Sequence, residues 1–541
     1  MRNKCIPLAI AVIAFHGALC APISAQTSRV HDGRLRVGKS QEPGTLNPIL
    51  ATMQTESDAF ALLFDGLVRF DDRGRIIPDL ATQVPTKQNG GISPDGKVIT
   101  YHIDPRAKWQ DGAALTSEDV KFTYEAIMNP RTASPARTGY DRVTRVETPD
   151  AHTVRITLKS AFAPATADLF ANGLQGSILP AHLLRSYADL NRVEFATHPI
   201  GSGPYRLAAW DHGSTLVFQA NHDYFRGSPK IERIAWEIIP DDQTMLNKLR
   251  ARELDLAVNL YPYAYQLLGS IPGMKATIMS ATYHWEHLIF NCRKGPTSDR
   301  RVRRALVYAM DPKIIYEKIY RAYGTRGPTD QNPLSPWFNR NLSYYPHNVA
   351  KAQTLLDEAG WRRGADGIRV KDGQRLTLTF VSTAGNRTRE MVGVLLQNEW
   401  REAGIDLQLK FFPASTFFAR AFNGGILDTG NFDTALFAWV NDNPDPDDTD
   451  TLGPGRTPPK GNNDTFYQNL EVGRLQERAL GSYDDGLRKR LYDRIQETIM
   501  ADVPEYTLNW MPEIDIAAKE LHGLRPAPVG SVFWNAAQWS I

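Results

Sequence analysis

The side chains that could do chemistry gather in few places along the 541 residues. The densest is the acidic run Asp442-Asn443-Pro444-Asp445-Pro446-Asp447-Asp448-Thr449-Asp450, entered directly from the apolar stretch Thr434-Ala435-Leu436-Phe437-Ala438-Trp439. That stretch reads as a buried strand, so the first acids stand at a strand's end, where a carboxylate can receive a cation or cap a turn. The bland alternative is a solvated acidic loop. An EF-hand loop beginning at Asp445 is excluded: it needs glycine in its sixth place and glutamate in its twelfth, where the chain has Asp450 and Arg456.

His284-Trp285-Glu286-His287 carries metal-ligand types. Side chains alternate along a strand, so His284 and Glu286 face away from His287 and the three cannot converge on one ion. A structural or ligand-lining role is the stronger reading. Gly33 to Ser40 matches the spacing of a phosphate-binding loop, yet Leu35 to Gly38 reads as a strand and Pro43-Gly44 stands where the helix must start. Gly-x-Ser-x-Gly, Gly-x-Gly-x-x-Gly, Cys-x-x-Cys and His-Glu-x-x-His are all missing. Their absence weighs against an enzyme, and no cofactor is implied. The remaining catalytic option is a secreted hydrolase working through two carboxylates of the 442 to 450 run.

The elements that would position these residues alternate between β-rich and amphipathic helical runs, which predicts a mixed α/β fold. Strands are predicted at Leu35 to Gly38, Val98 to Ile103, Val154 to Leu158, Leu288 to Phe290, Leu376 to Phe380, Ile405 to Leu409 and Thr434 to Trp439. Helices are predicted at Glu56 to Leu67, from Thr116 to before Pro130, Asp242 to Ala251, Arg301 to Met310, Val349 to Ala359 and Arg389 to Ala403, the last two stopped by Gly360 and Gly404. Lys plus Arg number 62 against 60 Asp plus Glu, and a net +2 gives no field for attracting nucleic acid. The 42% of hydrophobic residues supply large cores.

The chain opens with Arg2 and Lys4, an apolar run from Ile6 to Leu19, and a small residue at Ala25, the layout of a cleavable export signal over residues 1–25. Leu19 before Cys20 departs from the lipoprotein pattern, so a lipid anchor is not expected. Removal of that segment leaves Cys292 as the remaining cysteine and no internal disulfide.

Several spaced motifs resemble the extracellular solute-binding proteins of peptide ABC transporters, the dipeptide- and oligopeptide-binding family 5. They are Phe64-Asp65-Gly66-Leu67 with Pro78-Asp79-Leu80-Ala81, Lys108-Trp109-Gln110-Asp111-Gly112 with Leu115 to Phe122, and Pro199-Ile200-Gly201-Ser202-Gly203-Pro204-Tyr205. Leu288 to Asn291, Val302 to Asp311 and Ala350 to Gly360 continue the resemblance in order. It implies an α/β two-lobed periplasmic-binding-protein fold (type II, cluster C) with an extra β-rich domain on the first lobe. On that pattern the first lobe takes residues 26–70, 190–270 and 500–541, the extra domain 71–189, and the second lobe 271–499.

The resemblance further implies a monomeric, non-enzymatic receptor in the periplasm that passes a di- or oligopeptide to an inner-membrane ABC permease. A nickel chelate, haem, an opine or an oligosaccharide are the alternative guests on the same scaffold. Trp439-Val440-Asn441-Asp442 has the spacing of the peptide binders' amine site, which makes Asp442 the anchor, Trp439 a cleft wall, and Val440, Asn441 and Asn443 its neighbours. Arg387 or Arg389 would receive the guest's carboxylate, Glu42 would contact it from the first lobe, and Trp285 or His287 would line the cleft.

Overall fold

The computed structural model describes residues 33–541 apart from 136, 174–175, 261–264, 267–269, 420, 422–423 and 441–442, so the export segment lies outside the described residues. Two sheets dominate. The seven-stranded one runs, edge to edge, Met274–Met279, Glu513–Ala518, Leu256–Ala257, Arg34–Lys39, Arg233–Ile238, Thr215–Ala220 and Tyr205–Asp211. Its middle is parallel: Arg34–Lys39 lies between Leu256–Ala257 and Arg233–Ile238. Leu35 and Val37 are fully buried, in one core with Phe218, Trp236 and Phe533.

The five-stranded sheet has the order Asp406–Phe412, Thr377–Thr383, Thr434–Val440, His284–Phe290 and Glu505–Trp510. Every residue from Trp285 to Phe290 is buried, because both faces of the sheet are covered. On one face Leu288, Phe290, Leu378 and Leu436 pack with residues of the helices Arg300–Ala309, Val349–Glu358 and Arg387–Glu402. On the other, Phe437 and Ile289 join Phe417, Phe432 and Phe466. Gly360 and Gly404 follow two of these helices with φ of +89° and +90°, the left-handed geometry expected of them as helix stops.

A third, antiparallel sheet orders Val98–His102, Thr153–Leu158 and Val143–Asp150. Beside it runs helix Ser117–Met128, capped as its sequence predicts, with the Thr116 amide donating to Asp119 Oδ2 at 2.8 Å. Its apolar residues share one core with the seven-stranded sheet. The small domain also reaches the second lobe: the Ala163 amide donates to Leu480 O at 2.7 Å, and the Tyr483 hydroxyl to Phe162 O at 3.0 Å.

The chain passes between the large sheets twice, at 280–283 and at 511–512. Placing these crossings near 270 and 500 is therefore corrected on two counts. Met274–Met279 pairs antiparallel with Glu513–Ala518 and belongs to the first sheet, and Glu505–Trp510 pairs with His284–Phe290 and belongs to the second. The crossings are bonded to one another, Thr282 N to Met511 O at 3.0 Å and Met511 N to His284 O at 2.7 Å. No helix among the described residues is long and apolar enough to cross a membrane.

Candidate functional site

Parallel strands end together, and the crevice beyond their carboxyl ends is where α/β sheets hold ligands. Here Arg34–Lys39 and Leu256–Ala257 end at a cleft of about 480 Å³, closed on the opposite side by Tyr283, His284, Phe418 and Val440 and along its base by Met511 to Glu513. That volume lies within the range of about 300 to 1,000 Å³ typical of small-molecule sites.

The first-lobe wall is fixed from within. Helix Gln54–Leu63 lacks a polar side chain at its cap, Met53, and Glu56 serves instead. Its carboxylate, 2% exposed, accepts from the amides of Gly44 and Thr45 (both 3.1 Å), Thr52 (2.7 Å) and Met53 (2.9 Å), which ties the loop after the first strand to the helix start. Two residues on, Asp58 takes Lys39 Nζ at 2.5 Å and the Ser531 hydroxyl at 2.7 Å, and the ammonium also lies over the Trp236 ring, 5.3 Å from its centroid. Glu513 and Asp515 project from one face of Glu513–Ala518 towards this pair. Burial, then the neighbouring Asp515 and Asp58, push the Glu513 carboxyl well above the usual range. Burial likewise raises Asp515 to about 7.

An aromatic layer backs the second-lobe wall. Trp285 stacks on Trp510 at 5.2 Å, His287 meets the Phe437 ring edge-on at 4.5 Å, and Trp439 packs 5.6 Å from Phe437. Burial holds His284 and His287 neutral, with pKa values of about 4 and 3. Glu286 points to the face opposite His287, where Arg389 Nε and Nη2 bond its two oxygens at 2.5 and 3.2 Å.

The expected site residues divide accordingly. Val440, 43% exposed, lines the cleft, with Trp439 half-buried behind it. Trp285 and His287, 7% and 0% exposed, belong to the aromatic layer beneath rather than to the cleft lining. Glu42 is drawn away to the hairpin after Tyr205–Asp211, accepting from Trp210 Nε1 (2.7 Å), His212 Nδ1 and the Gly213 amide (both 3.1 Å). Arg389 is committed to Glu286 and Thr383, and Arg387 is exposed at the start of its helix. Asn443 accepts from the Asp445 amide at 2.8 Å and donates to Asp168 of the small domain. Asn441 and Asp442 lie outside the described residues.

The acidic run is far from a solvated loop. Asp445 is held by Arg488 Nη2 through both oxygens at 2.8 Å, and Asp448, 4% exposed, accepts from Gln476 Nε2 at 2.8 Å. Lys39, Asp58, Glu513 and Asp515 were not among the sequence candidates. The signal available was the alternation Glu513-Ile514-Asp515-Ile516, which puts two acids on one strand face.

The chain is similar to known proteins over most of its length. The family model described as "Bacterial extracellular solute-binding proteins, family 5 Middle" matches residues 75–451. Protein XP55 of Streptomyces lividans is 29% identical, over 97% of this chain and 93% of its own length. The oligopeptide-binding protein AppA of Bacillus subtilis is 27% identical over 100% of this chain and 98% of its own. Its structure with a nonapeptide superposes with a TM-score of 0.81 at 25% identity, covering 94% of this chain and 99% of that one. NikZ of Campylobacter jejuni with Ni(L-His) gives 0.82 at 24% identity, covering 95% of this chain and 100% of that one, a likeness of fold.

Proposed function

Because the chain belongs to family 5 of the bacterial extracellular solute-binding proteins, we propose that it is a periplasmic receptor that encloses a short peptide between its lobes and delivers it to an inner-membrane ABC permease. The observation that carries this reading is the pair of facing chain ends. Ser40 and Gln41 leave the first sheet exposed on one wall of the cleft, and Val440 leaves the second sheet exposed on the other. An extended guest laid between them meets main-chain groups on both sides, the mode that gives affinity irrespective of sequence. The oligopeptide-binding protein AppA, similar over the whole chain, supports a peptide as that guest. The receptor acts as a monomer and returns its ligand unchanged.

In this reading Asp442, two residues beyond Val440, receives the peptide's α-amino group. With Arg389 occupied by Glu286, Arg387 is the candidate for its carboxylate. The test is calorimetry with a tripeptide and its N-acetylated form against wild type and Asp442→Asn. Losing a carboxylate opposite an enclosed ammonium should weaken the free tripeptide by at least about 2 kcal/mol and leave the acetylated form little changed. Equal tolerance of acetylation by both proteins would remove Asp442 from the site. Mass spectrometry of solute released from gently purified protein checks the guest class, and a non-peptide solute would overturn the peptide reading.

A further inference from the structure

The first-lobe side of the cleft carries more acid than base. Lys39 is its cation, and the ammonium is already engaged with Asp58 and the Trp236 face. Two further carboxyls stand beside that pair. Asp515 is 1% exposed, its Oδ1 taken by the Asn259 amide at 3.0 Å, while its Oδ2 is buried with no hydrogen-bond partner among the described residues. Glu513, two residues earlier on the same strand face, lines the cleft itself. A buried carboxyl oxygen without a partner is costly, and beside it Glu513 opens onto a cleft, which offers a remedy that a sealed core does not: a positive charge brought by the occupant.

The surroundings describe that charge. Met511, Pro528 and Val529 line the same cleft with Tyr283, surfaces suited to a methylene stem and to a cation against a ring. His284 faces the cleft uncharged, so Lys39 is the one cation among the described residues that line it. Among the described residues no group of three or more His, Cys, Asp or Glu side chains has a geometry that could hold a metal ion, which favours an organic cation. We propose that Glu513, backed by Asp515, is a subsite for a side-chain ammonium or guanidinium, so that the favoured guests are short peptides carrying Lys or Arg. The proposal rests on the peptide reading above and adds a second cationic position to the terminal amine.

The groups facing Glu513 are Lys39 and Asp58 of the first strand and helix, Asp515 of its own strand and neutral His284. Burial and the neighbouring acids raise the Glu513 carboxyl, and a cation seated there would lower it again, so its binding favours proton release. Calorimetry near neutral pH with Ala-Lys-Ala and its norleucine counterpart, in two buffers of different ionisation enthalpy, tests this. Wild type should bind the lysine peptide at least about tenfold more tightly and release protons on doing so. Glu513→Gln, checked for an unchanged melting profile, should bind both peptides equally and release none. Equal binding by wild type, or a lysine preference that survives in Glu513→Gln, overturns the subsite. If neither peptide binds, the peptide reading is what has failed, and 1-aminopentane then decides the subsite by melting temperature. It must stabilise wild type and not Glu513→Gln, and absence of that difference overturns the subsite too.

Discussion

Arg389→Met separates a structural arginine from a ligand-binding one. Arg389 and Glu286 side chains are 13% and 6% exposed, the guanidinium makes two bonds to the carboxylate, and a third at 2.7 Å goes to the Thr383 hydroxyl. Removing the arginine leaves Glu286 inside the five-stranded sheet without its counter-charge, a change that costs about 3–5 kcal/mol when the charge must stay. The expected loss is therefore about 3–5 kcal/mol. Urea unfolding of wild type, Arg389→Met and Arg389→Met/Glu286→Gln at pH 7 measures it, and the double variant should recover most of the loss. Calorimetry with a tripeptide and its C-terminal amide should show all three proteins discriminating alike. An Arg389→Met protein of wild-type stability at pH 7 that no longer distinguishes carboxylate from amide would refute the assignment and make Arg389 the guest's partner.

A second expectation concerns pH. Asp330 is raised to about 8 by burial and Glu505, Glu505 to about 8 by burial and Asp448, and Asp448 is raised by burial and Asp330. The folded state keeps protons that the unfolded chain has released above its ordinary carboxyl pKa, so this stabilisation is full below about pH 4 and is lost as the pH rises through about 8. Melting temperature should fall between about pH 5.5 and 8.5, less steeply in Asp448→Asn; a flat profile would contradict the shifts. A third expectation concerns Gly201, where an added Cβ would lie 1.8 Å from Leu63 O. Gly201→Ala should lose at least about 1–3 kcal/mol of stability with guest affinity unchanged, and a selective loss of affinity would move the Pro199 to Tyr205 motif from scaffold to site.

Local chemistry was legible in the sequence, and long-range partnership was not. The Thr116 cap and the glycine stops at 360 and 404 depend on neighbours within a few positions, and each stands where the residues put it. Glu42 offered no such clue, because the groups that claim it, Trp210, His212 and Gly213, come from a hairpin some 170 positions away. Arg389 is the same case, its partner Glu286 lying 103 positions earlier on another element. Glu513 and Asp515 escaped notice for a different reason. Ile514 and Ile516 pack beside helix Asp242–Arg250, and the acids turn the other way, Asp515 into the interior and Glu513 onto the cleft, so the polar face of this strand is not its outward one.

The hydrogen bonds between the two crossings make them a short ribbon instead of two independent tethers. A ribbon flexes across its plane far more readily than it shears, since shear breaks the Thr282–Met511 and Met511–His284 bonds together while flexing breaks neither. The lobes thus have one soft direction. The Ala163–Leu480 bond joins them at a second place, away from the ribbon. Glu513 directly follows the ribbon, the place that a rotation of one lobe against the other would displace least. A charge held there would keep its setting against both walls at any angle between them.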